Sequence, residues 1–138
     1  MKQYRKEELL FRLPTFADHR GMLTSVQNCE NFPFEIKRVF WIYDVPSAAQ
    51  RGGHAHTSCD ELLIAVNGSF DVAVDDGRNK YTYHMNNSRV GLFIPASVWC
   101  ELLNFSKDCV CLVMASQTYS EEGYINSYEE FKHFSEHK

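Results

Sequence analysis

The sequence predicts an all-β chain: one jelly-roll barrel or sandwich, closed by a short C-terminal helix. Three observations lead there. Short runs of apolar or alternating residues recur from about Leu9 to Ala115. Gly, Asn and Asp clusters separate them. Only the C-terminal segment carries helical spacing. Many short strands at regular intervals, broken by turn residues, are the pattern of sandwiches and small barrels.

The elements follow in order. Leu9–Leu13 and Met22–Val26 open the series, and Ile36–Tyr43 adds a strand rich in aromatics. Glu61–Val66 and Ser69–Val74 flank Asn67-Gly68. Both of these residues tolerate the positive φ of a type I′ turn, so the pair predicts a hairpin. Asp75-Asp76-Gly77 marks the next connection, into Lys80–Met85. Val90–Ile94, Val98–Leu103 and Val110–Ala115 complete the strands. Ser127 then stands as N-cap of a helix, with Glu130 as capping-box partner and Phe131 and Phe134 spaced for one buried side. No repeat, low-complexity tract or linker interrupts the chain, which reads as a single domain over residues 1–138.

Composition narrows the function classes. With 138 residues, 44% of them hydrophobic and 14% aromatic, the chain can fill one core. A net charge of −4, with seven arginines and seven lysines dispersed along the chain, gives no footprint for nucleic acid. No apolar run is long enough to cross a bilayer, and the first residues lack the apolar stretch of a secretory signal, so no membrane partner and a cytoplasmic location are expected. Five cysteines without a CxxC pair fit a reducing compartment better than a disulfide framework.

The chemistry concentrates in Arg51-Gly52-Gly53-His54-Ala55-His56. Histidines at i and i+2 of an extended backbone project from the same face, so their imidazoles meet over one pocket. His54-x-His56, four residues, Glu61, six residues and Gly68 resemble the first sequence motif of the cupins, whose site lies inside a jelly roll. Gly91, Pro95 and Asn104 resemble the second motif, with Cys100 where a histidine often stands. A longer ordered set resembles the dTDP-sugar 3,4-ketoisomerases: Asp18-His19-Arg20-Gly21, Pro33-Phe34-Glu35-Ile36-Lys37-Arg38-Val39, the histidine block, Asp75-Asp76-Gly77, Gly91-Leu92-Phe93-Ile94-Pro95, Trp99-x-Glu101-x-x-Asn104-Phe105-Ser106 and Ala115-Ser116-x-x-Tyr119.

That resemblance implies conversion of dTDP-4-keto-6-deoxyglucose to a 3-keto isomer, on the way to amino sugars of surface polysaccharides. It implies a homodimer with exchanged N-terminal strands and neither metal nor redox cofactor. A base must remove the C3 proton, acidified by the adjacent ketone, and imidazole suits that task near neutral pH. The resemblance assigns His56 as principal base, with His54 as its partner for the oxygen-bound protons. Arg51 is a candidate for the developing oxyanion or the diphosphate, against a solvated loop charge. Lys37 and Arg38 face opposite sides of their strand, and the resemblance favours Arg38 as a nucleotide-sugar contact. Tyr43 is a candidate polar contact in the pocket, Trp99 and Glu101 are candidate pocket walls, and core packing or a surface position is the alternative for each.

Glu61 departs from the pattern, since these ketoisomerases usually carry Gln there. The favoured reading is a carboxylate that orients a catalytic histidine. The competing one is a metal-dependent cupin that uses His54, His56 and Glu61 as ligands, with Cys100 as a fourth. A non-catalytic cupin that binds a nucleotide sugar is the third.

Overall fold

The computed structural model describes residues 3–137. A 3-10 turn, Lys6–Leu9, leads into twelve strands: β1 (Leu10–Arg12), β2 (Thr15–Asp18), β3 (Gly21–Thr24), β4 (Arg38–Tyr43), β5 (Arg51–His56), β6 (Glu61–Asn67), β7 (Phe70–Asp75), β8 (Lys80–Met85), β9 (Val90–Ile94), β10 (Trp99–Leu103), β11 (Val110–Ala115) and β12 (Tyr124–Ile125). One helix follows, α1 (Tyr128–Glu136). One sheet has the order β1-β9-β6-β11-β4 and a second β12-β5-β10-β7-β8, while β2 and β3 pair only with each other. The pairs are antiparallel throughout.

The main core lies between the two five-stranded sheets. Leu63, Ala65, Leu92, Cys111 and Val113 of the first sheet meet Phe70, Val72, Val74, Tyr83 and Leu102 of the second in one buried cluster. Each set comes from alternate residues of its strands, because the pleat sends successive side chains to opposite faces. The sheets share no ladder, so the architecture is a sandwich of jelly-roll type, as expected, rather than a closed barrel. A smaller cluster, Leu13, Leu62, Ile64 and Met114 with Phe11, Phe34 and Ile36, covers the outer face of the first sheet. The hydroxyls of Tyr81 and Tyr83 donate to the carbonyls of Tyr4 (2.8 Å) and Lys6 (2.6 Å), fastening the N-terminal turn to β8.

Two expectations change. Asn67-Gly68 does not form a hairpin: both edges of β6 are taken, by β9 and β11, so the chain crosses to the opposite sheet to begin β7. Only Gly68 of the pair has positive φ, +68°, and a Cβ there would stand 3.0 Å from Cys109 Cα. Secondly, β2, β5 and β12 join the predicted strands. β5 carries both histidines but also two glycines, which removes the apolar alternation that marks a strand.

The C-terminal segment backs the histidine strand. β12 pairs with β5 in the register Tyr124↔His56 and Ile125↔Ala55. Ser127 caps α1, its hydroxyl accepting from the Glu130 N–H at 3.3 Å. Phe131, fully buried, packs with Ala55, Trp99 and Ile125, and Phe134 adds a half-buried ring. No helix of the described residues is long and apolar enough to cross a membrane.

Candidate active site

A cavity of about 740 Å³ opens at one end of the sandwich, walled by Phe40, Ile42, Arg51, His54, Glu61, Cys100 and Tyr124 among others. Six strands from both sheets contribute: β4, β6 and β11 from the first, β5, β10 and β12 from the second. Its polar groups cluster on β5, β6 and β12, and its apolar floor comes from Leu63, Leu102 and Val113.

The two imidazoles do share a face of β5, with ring centroids 4.9 Å apart. Their surroundings differ. His54 lines the cavity. His56 sits deeper, its side chain 6% exposed, with Nε2 3.5 Å from Glu61 Oε2. That Nε2 has no hydrogen-bond partner. Burial pulls the His54 pKa below the ordinary imidazole value, and His56 adds to the effect; Glu61 and a hydrogen bond to the Gly52 backbone pull the other way. The net result favours a neutral His54 ring.

Arg51 lies at the exposed mouth of the cavity. Arg38 stands beside the wall, its guanidinium 5.0 Å over the Phe40 ring and 5.6 Å over that of Tyr119, with Nε buried and unpaired. Cys100 lines the cavity as a thiol that burial, with Glu61 and Glu101 nearby, keeps protonated.

Three expected pocket residues lie elsewhere, and strand parity explains all three. On β4 the side chains facing inward are Arg38, Phe40 and Ile42, so Tyr43 points out with Val39 and Trp41, 58% exposed. Arg38 and Tyr43 differ by an odd number of residues and cannot share a face of one regular strand. On β10 the inward pair is Cys100 and Leu102. Trp99 and Glu101 therefore occupy the outer face, where Trp99 Nε1 donates to Glu101 Oε2 (3.3 Å) and the indole packs on Tyr128 and Phe131 of α1.

Tyr124 is the site residue that sequence reasoning missed. Its ring lies 4.4 Å from that of His56 and 4.9 Å from that of His54. Burial raises its pKa, while Arg38 is close enough to pull it partly back. The phenol therefore stays protonated at neutral pH and acts as a hydrogen-bond donor. The available signal was slight: an aromatic followed by isoleucine, two residues ahead of the Ser127 cap.

Comparison with known proteins bears on the family and the fold. A curated relative from Aneurinibacillus thermoaerophilus, TDP-4-oxo-6-deoxy-alpha-D-glucose-3,4-oxoisomerase, is 38% identical over 128 residues, 93% of this chain and 92% of its own. A 3,4-ketoisomerase from Helicobacter canadensis superposes with a TM-score of 0.88 at 38% identity, over 92% of this chain and 96% of that one. QdtA from Thermoanaerobacterium thermosaccharolyticum, a sugar 3,4-ketoisomerase solved in complex with TDP, gives 0.89 at 34% identity, over 93% of each chain. Shape and sequence thus agree on the class, sugar 3,4-ketoisomerases of cupin type. Within it, the chain belongs to the family described as FdtA: WxcM-like, C-terminal, which matches residues 6–136.

Proposed function

We propose that this protein converts a dTDP-linked 4-keto-6-deoxyhexose, dTDP-4-keto-6-deoxyglucose first among them, to its 3-keto isomer. The observation that carries the reading is an imidazole, His54, half-buried on the wall of a cavity large enough for a hexose, with its pKa lowered by burial and a phenol and a guanidinium close by. The relatives named above act in the same sense.

The isomerisation moves one hydrogen from C3 to C4 and another from the C3 oxygen to the C4 oxygen, so atoms and electrons balance within the sugar. His54 takes the C3 proton. The C–H electron pair forms the C3–C4 double bond, and the carbonyl π pair moves to the C4 oxygen. Tyr124, backed by Arg38, donates to that oxygen as its charge grows. His54 then returns the proton to C4 while the C3 oxygen gives up its own. This order reverses the roles expected for the two histidines, because His56 lies behind His54 and against Glu61. Glu61 accordingly orients His56. Arg51, at the mouth, is placed for the diphosphate.

The test is to incubate the chelator-washed protein with dTDP-4-keto-6-deoxyglucose in D₂O and follow C3 exchange and product by NMR. Exchange with conversion supports the reading; tight binding without exchange overturns it in favour of a binding protein. The pH profile follows from the His54 shift. Protonation removes the lone pair that does the work, and burial opposes protonation, so activity should persist as pH falls past about 6.5, the ordinary imidazole value. The acid limb of kcat/KM should lie below that value. A limb above it contradicts His54 as the buried base.

The assembly expected is a homodimer. β1 pairs with its own β9, so an exchanged element would be the β2–β3 hairpin, which leaves Phe16, Met22 and Leu23 exposed. The Val39, Trp41 and Tyr43 stripe adds a second apolar face. Sedimentation should give twice the chain mass, and a monomer at micromolar concentration excludes this arrangement. Five free cysteines among the described residues support a reducing, cytoplasmic setting.

A further inference from the structure

The Asp75-Asp76-Gly77 and Trp99-x-Glu101 blocks lie outside the cavity and take no part in the chemistry above. Asp75 and Trp99, one from each block, are cross-strand partners on β7 and β10, and both touch Tyr128, the first residue of α1. The Tyr128 hydroxyl donates to Asp75 Oδ2 at 2.5 Å, within the range of charge-assisted O–H···O bonds. Asp75 is 5% exposed, and its other oxygen accepts from the Gly77 N–H at 2.8 Å, so the carboxylate is held between a turn and the helix. That bond to Asp75, with burial, pushes the Tyr128 phenol up to about 12, which keeps it a donor at neutral pH. α1 therefore braces its sheet. Along the order β12-β5-β10-β7, Phe131 packs on Ile125, Ala55 and Trp99, one residue from each of the first three strands, and Tyr128 reaches the fourth. β12 depends on that brace, because it is an edge strand of two residues with little ladder of its own. It carries Tyr124, whose ring lies 4.4 Å from that of His56 and 4.9 Å from that of His54.

We propose that Tyr128 is a positioning residue for the isomerisation: anchored on Asp75, it fixes the place of Tyr124 over the paired imidazoles and so sets the turnover rate without touching the sugar. The effect on turnover rests on the function proposed above, whereas the placement of the ring does not. Tyr128→Phe keeps the ring contacts with Trp99 and Phe131 and deletes only the anchor. The helix then retains its buried Phe131 but loses its hold on β7, and the slack falls on the two-residue strand. Displacing a reacting group by roughly 1 Å costs on the order of 100-fold, so partial release of Tyr124 should cost about 10-fold. Deleting the hydroxyl also leaves Asp75 Oδ2 short of a donor, which lowers stability whatever happens at the cavity. The test must therefore separate placement from stability.

A double-mutant cycle does so, read as turnover of dTDP-4-keto-6-deoxyglucose. Tyr128→Phe should lower kcat by about 10-fold at nearly unchanged KM in the otherwise native chain, and by less than about 2-fold in the Tyr124→Phe chain, where no donor is left to misplace. Equal losses in the two backgrounds, or an unchanged kcat in the first, overturn the proposal: Tyr128 then serves stability alone. A second measurement needs no sugar. The Tyr124 ring current shifts the Cε1–H proton resonances of His54 and His56, and Tyr124→Ala removes that shift. Tyr128→Phe, checked for folding by circular dichroism, should move both resonances part of the way to their Tyr124→Ala positions, and resonances that stay put overturn the placement. Native protein that never isomerises the sugar, while Tyr128→Phe moves the resonances, upholds the positioning and counts against the enzymatic reading alone.

Discussion

His54→Asn should lower kcat by about 10³-fold, within the range a positioned general base contributes, with little change in melting temperature. The side chain stands on a cavity wall rather than in the packed core, so its loss removes chemistry more than stability. His56→Asn should cost less in kcat, because that ring lies behind the first, against Glu61. Tyr124→Phe, measured beside them, isolates the donor to the C4 oxygen and should leave KM nearly unchanged while kcat falls. Proton wash-in at C3 reads all three variants without coupling enzymes. A larger loss for His56→Asn than for His54→Asn would return the carbon base to His56 and reverse the order read from the cavity.

Gly52→Ala should destabilise the fold by about 3 kcal/mol and cut kcat/KM by about 100-fold. The first part combines two costs. Gly52 has φ +77°, a conformation that costs an L-residue roughly 1–2 kcal/mol. A Cβ there would also stand 2.9 Å from the Cys100 carbonyl oxygen and 3.0 Å from Leu102 Cδ1, where β5 runs against β10. Relief of that contact pushes β5 outward and takes His54, two residues on, with it. Displacing a catalytic group by roughly 1 Å costs on the order of 100-fold. Gly53 supplies the control: its φ is +75°, but a Cβ there meets nothing within 4 Å. Gly53→Ala should lose only the conformational part, about 1–2 kcal/mol. Equal losses for the two variants in urea unfolding would show that close approach to β10 is not what Gly52 provides.

The amount of this molecule that can be read from its sequence follows from what each signal reports. Alternation and turn residues report local geometry, so β4, β6 to β11 and α1 were legible, and the i, i+2 histidines were rightly placed on one face. Partner choice is not local. Asn67-Gly68 looks like a hairpin whether the next strand folds back or crosses to another sheet, and the two occupied edges of β6 decide the matter. Pocket membership needs parity as well as proximity in sequence. That is why Tyr43, Trp99 and Glu101 were grouped with the site although each points away from it. Tyr124 reaches the histidines only through β12, a two-residue strand with no periodicity to detect. The difference in depth between His54 and His56 likewise arises from neighbours on other strands, Glu61 on β6 and Tyr124 on β12 among them.

On β4, Arg38, Phe40 and Ile42 face the cavity side, and Val39, Trp41 and Tyr43 face outward. Neighbouring codons in this stretch thus answer to separate selective demands. The outer surface can drift through the odd-numbered letters while the cavity is tuned through the even ones, and one short segment of the gene can change either face without disturbing the other.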